Sequence, residues 1–518
     1  MDQIIPAISV PSASPRVAGG GSTYSQILKS SSIIGGAQAV NYIIGMARVK
    51  LVAVLLGPTG IGLVGLYVSA TDLVGTFAGL GINSSGVREV AEACGTGDSE
   101  RIAHTVKTLR RACWITGVFG WLLTVALSYP LSLWTFGSGE RAWAVAMLGV
   151  TLLLGAVSGG QAALIQGTRR IGDLARMNVL GAVAGTLIAV GLYAWLGQAG
   201  IVPVLIATAA TSLGFSWWFA RRIPVQPVSP TWPETFVNSK RLIHLGLAFM
   251  YGALLSAVVG LVIRALIVRK LGLDANGIYQ AAWGISGMFA GFILGAMGTD
   301  FYPRLTAVAD DNEQVNRLVN EQTEIGILLA LPGLLGTLAL APWVMHIFYS
   351  PKFLPGAALL PWLVIGVFGQ VLSWPLGFIQ RAKGRARWIF ASQTHANLWN
   401  LALAMILIPT YGVVAAAWAF ALSNAIQGLV VFGIARHLSR FAWTPHAAGL
   451  GLTAAGMIGL AAITHMIPDG LTKIGLGALI TAAACVVSLR GISTRLGPEH
   501  RIMKLASRIP GGRLICGL

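Results

Sequence analysis

Three cations lie inside apolar runs long enough to span a membrane. Arg48 and Lys50 belong to a run that ends at Leu56-Gly57-Pro58-Thr59-Gly60-Ile61-Gly62-Leu63. Arg264 belongs to a second run, which ends at Leu271-Gly272-Leu273-Asp274-Ala275-Asn276-Gly277-Ile278. Arg48 precedes Gly57 by nine residues, and Arg264 precedes Gly272 by eight. A charge at the centre of a membrane helix costs about 3 kcal/mol on insertion scales, so it usually faces a polar cavity. Guanidinium and ammonium groups there suit an anion, which they bind through charge-assisted hydrogen bonds.

The surrounding residues sort these cations only in part. Gln38, Asn41, Gly45 and Arg48 are spaced 3, 4 and 3 apart, which places them on one helical stripe. Lys50 points roughly 200° away from Arg48 and sits about 10 Å below the outer end of its helix, within reach of snorkelling. Periodicity therefore favours Arg48 as the cavity residue. Arg264 has no such stripe; its readings are a cavity role, snorkelling, or an ion pair with Asp274 or a neighbouring helix. Asp72 lies mid-span and has three readings: partner for Arg48 or Lys50, proton carrier, or packing residue. Arg88, Asp300 and Arg304 fall at helix ends, where they either gate the inner side by holding two halves together or are solvated. Arg381, Lys383, Arg385 and Arg387 form a basic run that reads as a topology signal in contact with lipid headgroups.

These residues need membrane helices to position them. Of 518 residues, 55% are hydrophobic and only 10% charged, against roughly 25% charged in soluble proteins. Apolar runs of spanning length recur throughout, so the fold class is an all-α polytopic membrane protein. Fourteen spans are expected, at 31–56, 61–83, 112–134, 142–166, 176–197, 199–219, 242–268, 277–301, 322–349, 355–380, 389–409, 412–434, 445–466 and 471–489. With both termini in the cytoplasm, 28 of the 36 Lys and Arg fall on the inner side and 5 outside. The positive-inside rule settles that orientation and explains the net charge of +18 without nucleic acid.

The chain also repeats itself. Leu55–Val90 aligns without gaps on Lys270–Leu305 at an offset of 215, matching Leu56 with Leu271, Gly57 with Gly272, Gly62 with Gly277 and Phe77 with Phe292. A second echo pairs Ala199-Gly200-Ile201-Val202 with Tyr411-Gly412-Val413-Val414 at 212. Six helices per copy imply two parallel six-helix repeats around a central cavity, an arrangement that places substrate at the interface. The expected organisation is a tail (1–29), a first half (30–222), a linker (223–241), a second half (242–435), two additional helices (436–489) and a basic tail (490–518).

Several functions lack their residues. There is no nucleotide-binding Gly-rich motif. Cys94, Cys113, Cys485 and Cys516 have no metal spacing, and the eight histidines form no metal cluster. All external loops are short, which disfavours a membrane glycosyltransferase or polysaccharide polymerase. A cation-coupled multidrug exporter would be expected to line its cavity with carboxylates rather than cations. A scaffold that transports nothing would not need intramembrane charges.

Against this background the sequence resembles the O-antigen flippases, in the polysaccharide-transport branch of the superfamily that also holds multidrug extruders and lipid II flippases. The resemblance rests on Lys50–Leu63, Ala78–Asn83, Val87–Glu92, Arg264, Gly277–Gln280, Tyr302–Leu305 and Ile408–Ala416, and covers roughly residues 25–435. It implies a transporter, not an enzyme, that turns an undecaprenyl-pyrophosphate-linked oligosaccharide across the bacterial inner membrane by alternating access. It implies no cofactor, with a proton or sodium ion as candidate coupling ion. Membrane lipids are implied partners, and the polymerase and chain-length machinery are candidate ones. The resemblance ranks Lys50 and Arg264 first as substrate-binding residues, ahead of Arg48, Asn41 and Gln38, and so opposes the stripe. Asp72 and the last two helices depart from the usual pattern.

Overall fold

The computed structural model describes residues 20–228, 231–463 and 471–496. Side chains are described from Val40 onward, apart from parts of 236–249, 289–303 and 471–474. Cys516, Gln38 and Asp300 therefore fall outside the described side chains. Among the described residues there are α-helices and two 3-10 turns, and no strand. Described helix falls within each of the fourteen expected spans, one helix covering the first two, but ten described stretches rather than fourteen are long and apolar enough to cross a membrane.

The chain forms two compact units, Met1–Arg269 and Lys270–Leu518. The first holds α1 (Gly20–Gly79), α2 (Ile82–Thr96), α3 (Ser99–Phe136), α4 (Ala142–Gly167), α5 (Ile171–Leu196), α6 (Ile201–Ala220) and nearly all of α7 (Trp232–Leu271). Helix α1 starts at Gly20, ahead of the expected limit, because extending a formed helix needs no new nucleus. It breaks at Gly57, whose φ of 66° and ψ of −173° lie in a region essentially restricted to glycine. Val52, Leu56, Leu63 and Tyr67 of α1 bury against Leu148 of α4, Ala189 and Tyr193 of α5 and Val204 of α6. A second cluster joins Ile82 and Val90 of α2 to Leu109, Leu164 and Phe219. Helix α7 is fixed at two places. Arg111 of α3 donates to Thr235 Oγ1 at 2.6 Å and covers the Trp232 ring at 4.6 Å. Gly81 and Gly246 meet so closely that a Cβ on either would strike the backbone of the facing segment.

The second unit holds α8 (Leu273–Ala307), α9 (Asn312–Ala339), α10 (Ala341–Phe348), α11 (Leu360–Ala382), α12 (Ala386–Tyr411), α13 (Val414–Ser439), α14 (Pro445–Ile463) and α15 (Leu471–Leu496). The expected span 322–349 is split between α9 and α10, because Pro342 enters the first turn of α10 and cannot continue a preceding helix. Phe301, Leu305, Val315, Val319, Leu376 and Phe441 form the main cluster. The two additional helices pack on α9. Gly477 and Gly491 of α15 bring that helix against Ala339 and Leu328, as small residues do between membrane helices. Asn320 donates to the Ala442 carbonyl at 3.1 Å and accepts from Thr444 N at 3.0 Å, which fixes the turn leading into α14.

The repeat is visible in the backbone. Gly272 (φ 90°, ψ 173°) adopts nearly the conformation of Gly57, 215 residues earlier. Gly412 (φ 73°, ψ −159°) caps α12 and accepts the role that Gly197 (φ 55°, ψ −132°) has after α5, again at 215. The second echo is therefore shifted: Gly200, at φ −72°, is not the conformational counterpart of Gly412. The 3-10 turn Gly197–Gly200 adds the residues that displaced the sequence match.

Candidate functional site

The break at Gly57 leaves Arg48 two and a half turns up the first segment of α1. Its side chain is half-buried, with the phenol of Tyr193 on α5 within electrostatic reach. Nη1 lies 3.9 Å from the position a Cβ on Gly185 would take, and Thr208 of α6 borders the same spot. Glycine at 185 thus leaves the space that the guanidinium approaches. Asn41, two turns earlier on the same stripe, has a buried Oδ1 with no hydrogen-bond partner. Between them, a Cβ on Gly45 would meet nothing within 4 Å. Among the described residues of that stripe, Asn41 and Arg48 are half-buried and the space beside Gly45 is open. Lys50 is half-buried on another side of α1.

The second segment of α1 forms a different arrangement with α7. Leu66 and Ala70 bury against Leu261, with Leu73 and Val268 packed alongside. Arg264 lies between Leu261 and Val268 on that helix. Its Nη1 donates to the Gly260 carbonyl at 3.0 Å, and its charge attracts the exposed Asp72 carboxylate. Among the intramembrane cations, Arg264 is the one whose charge reaches Asp72. Counted from the paired glycines Gly57 and Gly272, Arg264 corresponds to Val49, flanked by Arg48 and Lys50.

The candidate gate residues are less organised. Arg88 is exposed on α2, and Arg304 is exposed in the last turn of α8, where a cation complements the helix dipole. Sequence reasoning passed over Arg141. Its guanidinium covers the Phe136 ring at 4.8 Å, its charge reaches Tyr67, and Nη1 is buried without a hydrogen-bond partner. It also passed over Gln393, Asn397 and Asn400 of α12, although their spacings of four and three were a signal of the same kind as the α1 stripe.

The fold is shared with solved membrane transport proteins. It superposes on the lipid II flippase MurJ, in an inward closed conformation, with a TM-score of 0.64 at 14% identity, covering 89% of this chain and 99% of that one. It superposes on an inward-facing multidrug resistance MATE family transporter of the MOP superfamily with a TM-score of 0.62 at 18% identity, covering 80% of this chain and 96% of that one. Together, fold and spanning helices define a polytopic helical membrane protein. Residues 51–358 match the polysaccharide biosynthesis protein family, and the chain belongs to it. Among relatives, the lipid III flippase of Escherichia coli (strain K12) is 23% identical over 394 residues, which span 73% of this chain and 90% of that protein.

Proposed function

We propose that this protein is a flippase that turns an undecaprenyl-pyrophosphate-linked oligosaccharide, an O-antigen or exopolysaccharide repeat unit, from the inner to the outer leaflet of the bacterial inner membrane. The observation that carries this reading is the pair of half-buried guanidiniums, Arg48 on the stripe it shares with Asn41 and Arg264 beside Asp72, in a chain of the polysaccharide biosynthesis family. A pyrophosphate cannot cross about 30 Å of hydrocarbon without compensation. Arg48, Lys50 and Arg264 supply that compensation through charge-assisted hydrogen bonds. Asn41 and Gln38 are further candidate substrate contacts. Arg88, Asp300 and Arg304 are the candidate gate residues on the cytoplasmic side. The positive-inside count supports cytoplasmic termini. Asp72 is the candidate site for coupling to a proton or sodium ion, and polysaccharide polymerase and chain-length proteins are the candidate partners downstream.

The test is surface polysaccharide in a strain that depends on this chain. Arg48→Ala, Lys50→Ala, Arg264→Ala and their combinations are expected to reduce it. Full surface polysaccharide in every variant overturns the reading. Lipid II is the second cargo, favoured by the fold match to the lipid II flippase. Native mass spectrometry of co-purified lipid separates the two: a prenyl-pyrophosphate saccharide without peptide supports the first, and lipid II the second.

A further inference from the structure

The basic run Arg381, Lys383, Arg385 and Arg387 reads from sequence as a topology signal, and the structure divides it. Lys383 Nζ donates to the Ala309 carbonyl and to Asn312 Oδ1, both at 2.7 Å, and so ties the end of α11 to the turn before α9. Arg385 and Arg387 are exposed, with the Arg387 guanidinium 5.5 Å from the Trp388 ring centre. Arg381 is half-buried over the Phe378 ring, its guanidinium carbon 4.8 Å from the ring centre. Trp374, Phe378 and Arg381 are spaced four and three apart, on one face of α11. Tyr302 of α8 joins them: its ring lies 5.7 Å from Phe378, its phenol is within electrostatic reach of Arg381, and the residue is exposed.

An arginine at a helix end often snorkels, with its head group carried out to water. Arg381 does not: its guanidinium lies over the preceding turn of α11, back along the helix. Its nitrogens remain solvent-accessible, yet they make no hydrogen bond or ion pair among the described residues. The Tyr302 hydroxyl makes none there either. Tyr302 follows Gly272 by 30 residues. That is about 45 Å of helix, more than the about 30 Å of a hydrocarbon core. The group therefore stands at the membrane boundary opposite the Gly272 turn, which the positive-inside count assigns to the cytoplasm.

The chemistry of this group selects its ligand. No carboxylate among the described residues reaches Arg381, so the group is not built for a cation. A planar guanidinium with accessible N–H groups suits a phosphate, which it can bond through two parallel donors. An exposed phenol offers a ring to the apolar face of a sugar and a hydroxyl that both donates and accepts. We propose that Arg381 and Tyr302 form a docking site for the glycosyl-phosphate headgroup of the cargo, Arg381 bonding the phosphate and Tyr302 the adjoining sugar, with Phe378 holding the two side chains together. The site rests on the flippase reading above and adds an anion contact at the loading boundary, apart from the cations inside the spans.

The test uses the full chain in lipid nanodiscs and undecaprenyl-pyrophosphoryl N-acetylglucosamine as probe, with phosphatidylglycerol as the competing phosphate source. Phenylglyoxal labelling of wild-type Arg381, read by peptide mass spectrometry, is expected to fall several-fold with the probe and to stay unchanged with equimolar phosphatidylglycerol. Labelling of Arg387 is expected to stay unchanged with both. Arg381→Gln is expected to weaken probe binding at least about tenfold, the worth of a hydrogen bond to a charged group, and Arg387→Gln to leave it unchanged. Bound probe with unprotected Arg381 overturns the docking site and leaves the flippase reading standing; this measurement needs no substitution. An Arg381 that does not label is out of reach of cargo too, which also overturns the site. Protection by phosphatidylglycerol instead assigns Arg381 to the lipid boundary, and equal losses in the two variants assign it to general surface charge; either result overturns the site. A wild type that binds no probe overturns the flippase reading, and the docking site with it.

Discussion

Asp72 and Arg264 attract one another across the packed contact between the second segment of α1 and α7, with Leu66, Ala70 and Leu261 buried beside them. The carboxylate is exposed and the guanidinium half-buried, so the pair is open to solvent or to a competing anion. A pyrophosphate would compete with Asp72 for the same cation.

That relationship predicts a thermodynamic coupling. In detergent, Asp72→Asn and Arg264→Gln should each lower thermal stability, and the double variant should lose less than their sum. The coupling should be about 0.5–1 kcal/mol, as for partly solvated pairs. Strict additivity in the melting curves would show that the two side chains act independently.

Gly57 and Gly272 hold a backbone conformation that other residues reach only with strain. Gly57→Ala and Gly272→Ala should each destabilise by about 1–3 kcal/mol. The two losses should be similar, because the repeat places one break in each unit. Thermal unfolding of the separate variants measures both.

The close approach of Gly81 and Gly246 makes a second steric prediction. An alanine at 246 would direct its Cβ into the Leu80 carbonyl. Backbone cannot yield as a flexible side chain can, so Gly246→Ala should either separate α1 from α7 or fail to fold. Accessibility of a cysteine placed at Ile243 to a soluble maleimide should then rise several-fold; Ile243 is half-buried in the native packing.

Asn320 is buried and serves both the Ala442 carbonyl and Thr444 N. Asn320→Ala should cost about 1–3 kcal/mol by leaving those groups unpaired. Proteolysis should then increase first in the turn 440–444, ahead of α14.

Asp311 caps α9 by accepting from Gln314 N at 3.1 Å and Glu313 N at 3.0 Å. The Gln314 backbone bond, then the Gln314 side chain, hold its carboxyl below the ordinary carboxylate range. A depressed native pKa adds stability above the unfolded-state value, near 3.9, and loses it as pH falls through the native one. Protection factors of the amides at the start of α9, which divide out the slower intrinsic exchange in acid, should fall once the pH drops below about 4. Asp311→Asn should remove that acid-dependent component.

The chain's own pattern determined the helical membrane class and the breaks at Gly57 and Gly272, but not α2 or the division between α9 and α10. Apolar runs of spanning length leave a lipid-embedded chain little alternative to helix, and a conserved spacing of glycines at an offset of 215 marks where the backbone turns. The stripe on α1 was also legible, since a polar face repeats with helical period. Partners across helices were not. Spacing along α1 could not reveal that Arg48 approaches Gly185, or that the charge of Arg264 reaches Asp72. Nor could it show that Gly412 answers to Gly197, because the four-residue turn Gly197–Gly200 after α5 shifts the sequence register by three while Gly197 keeps a backbone geometry close to that of Gly412. Helical period fixes which side of a helix a residue faces; only packing decides what stands opposite.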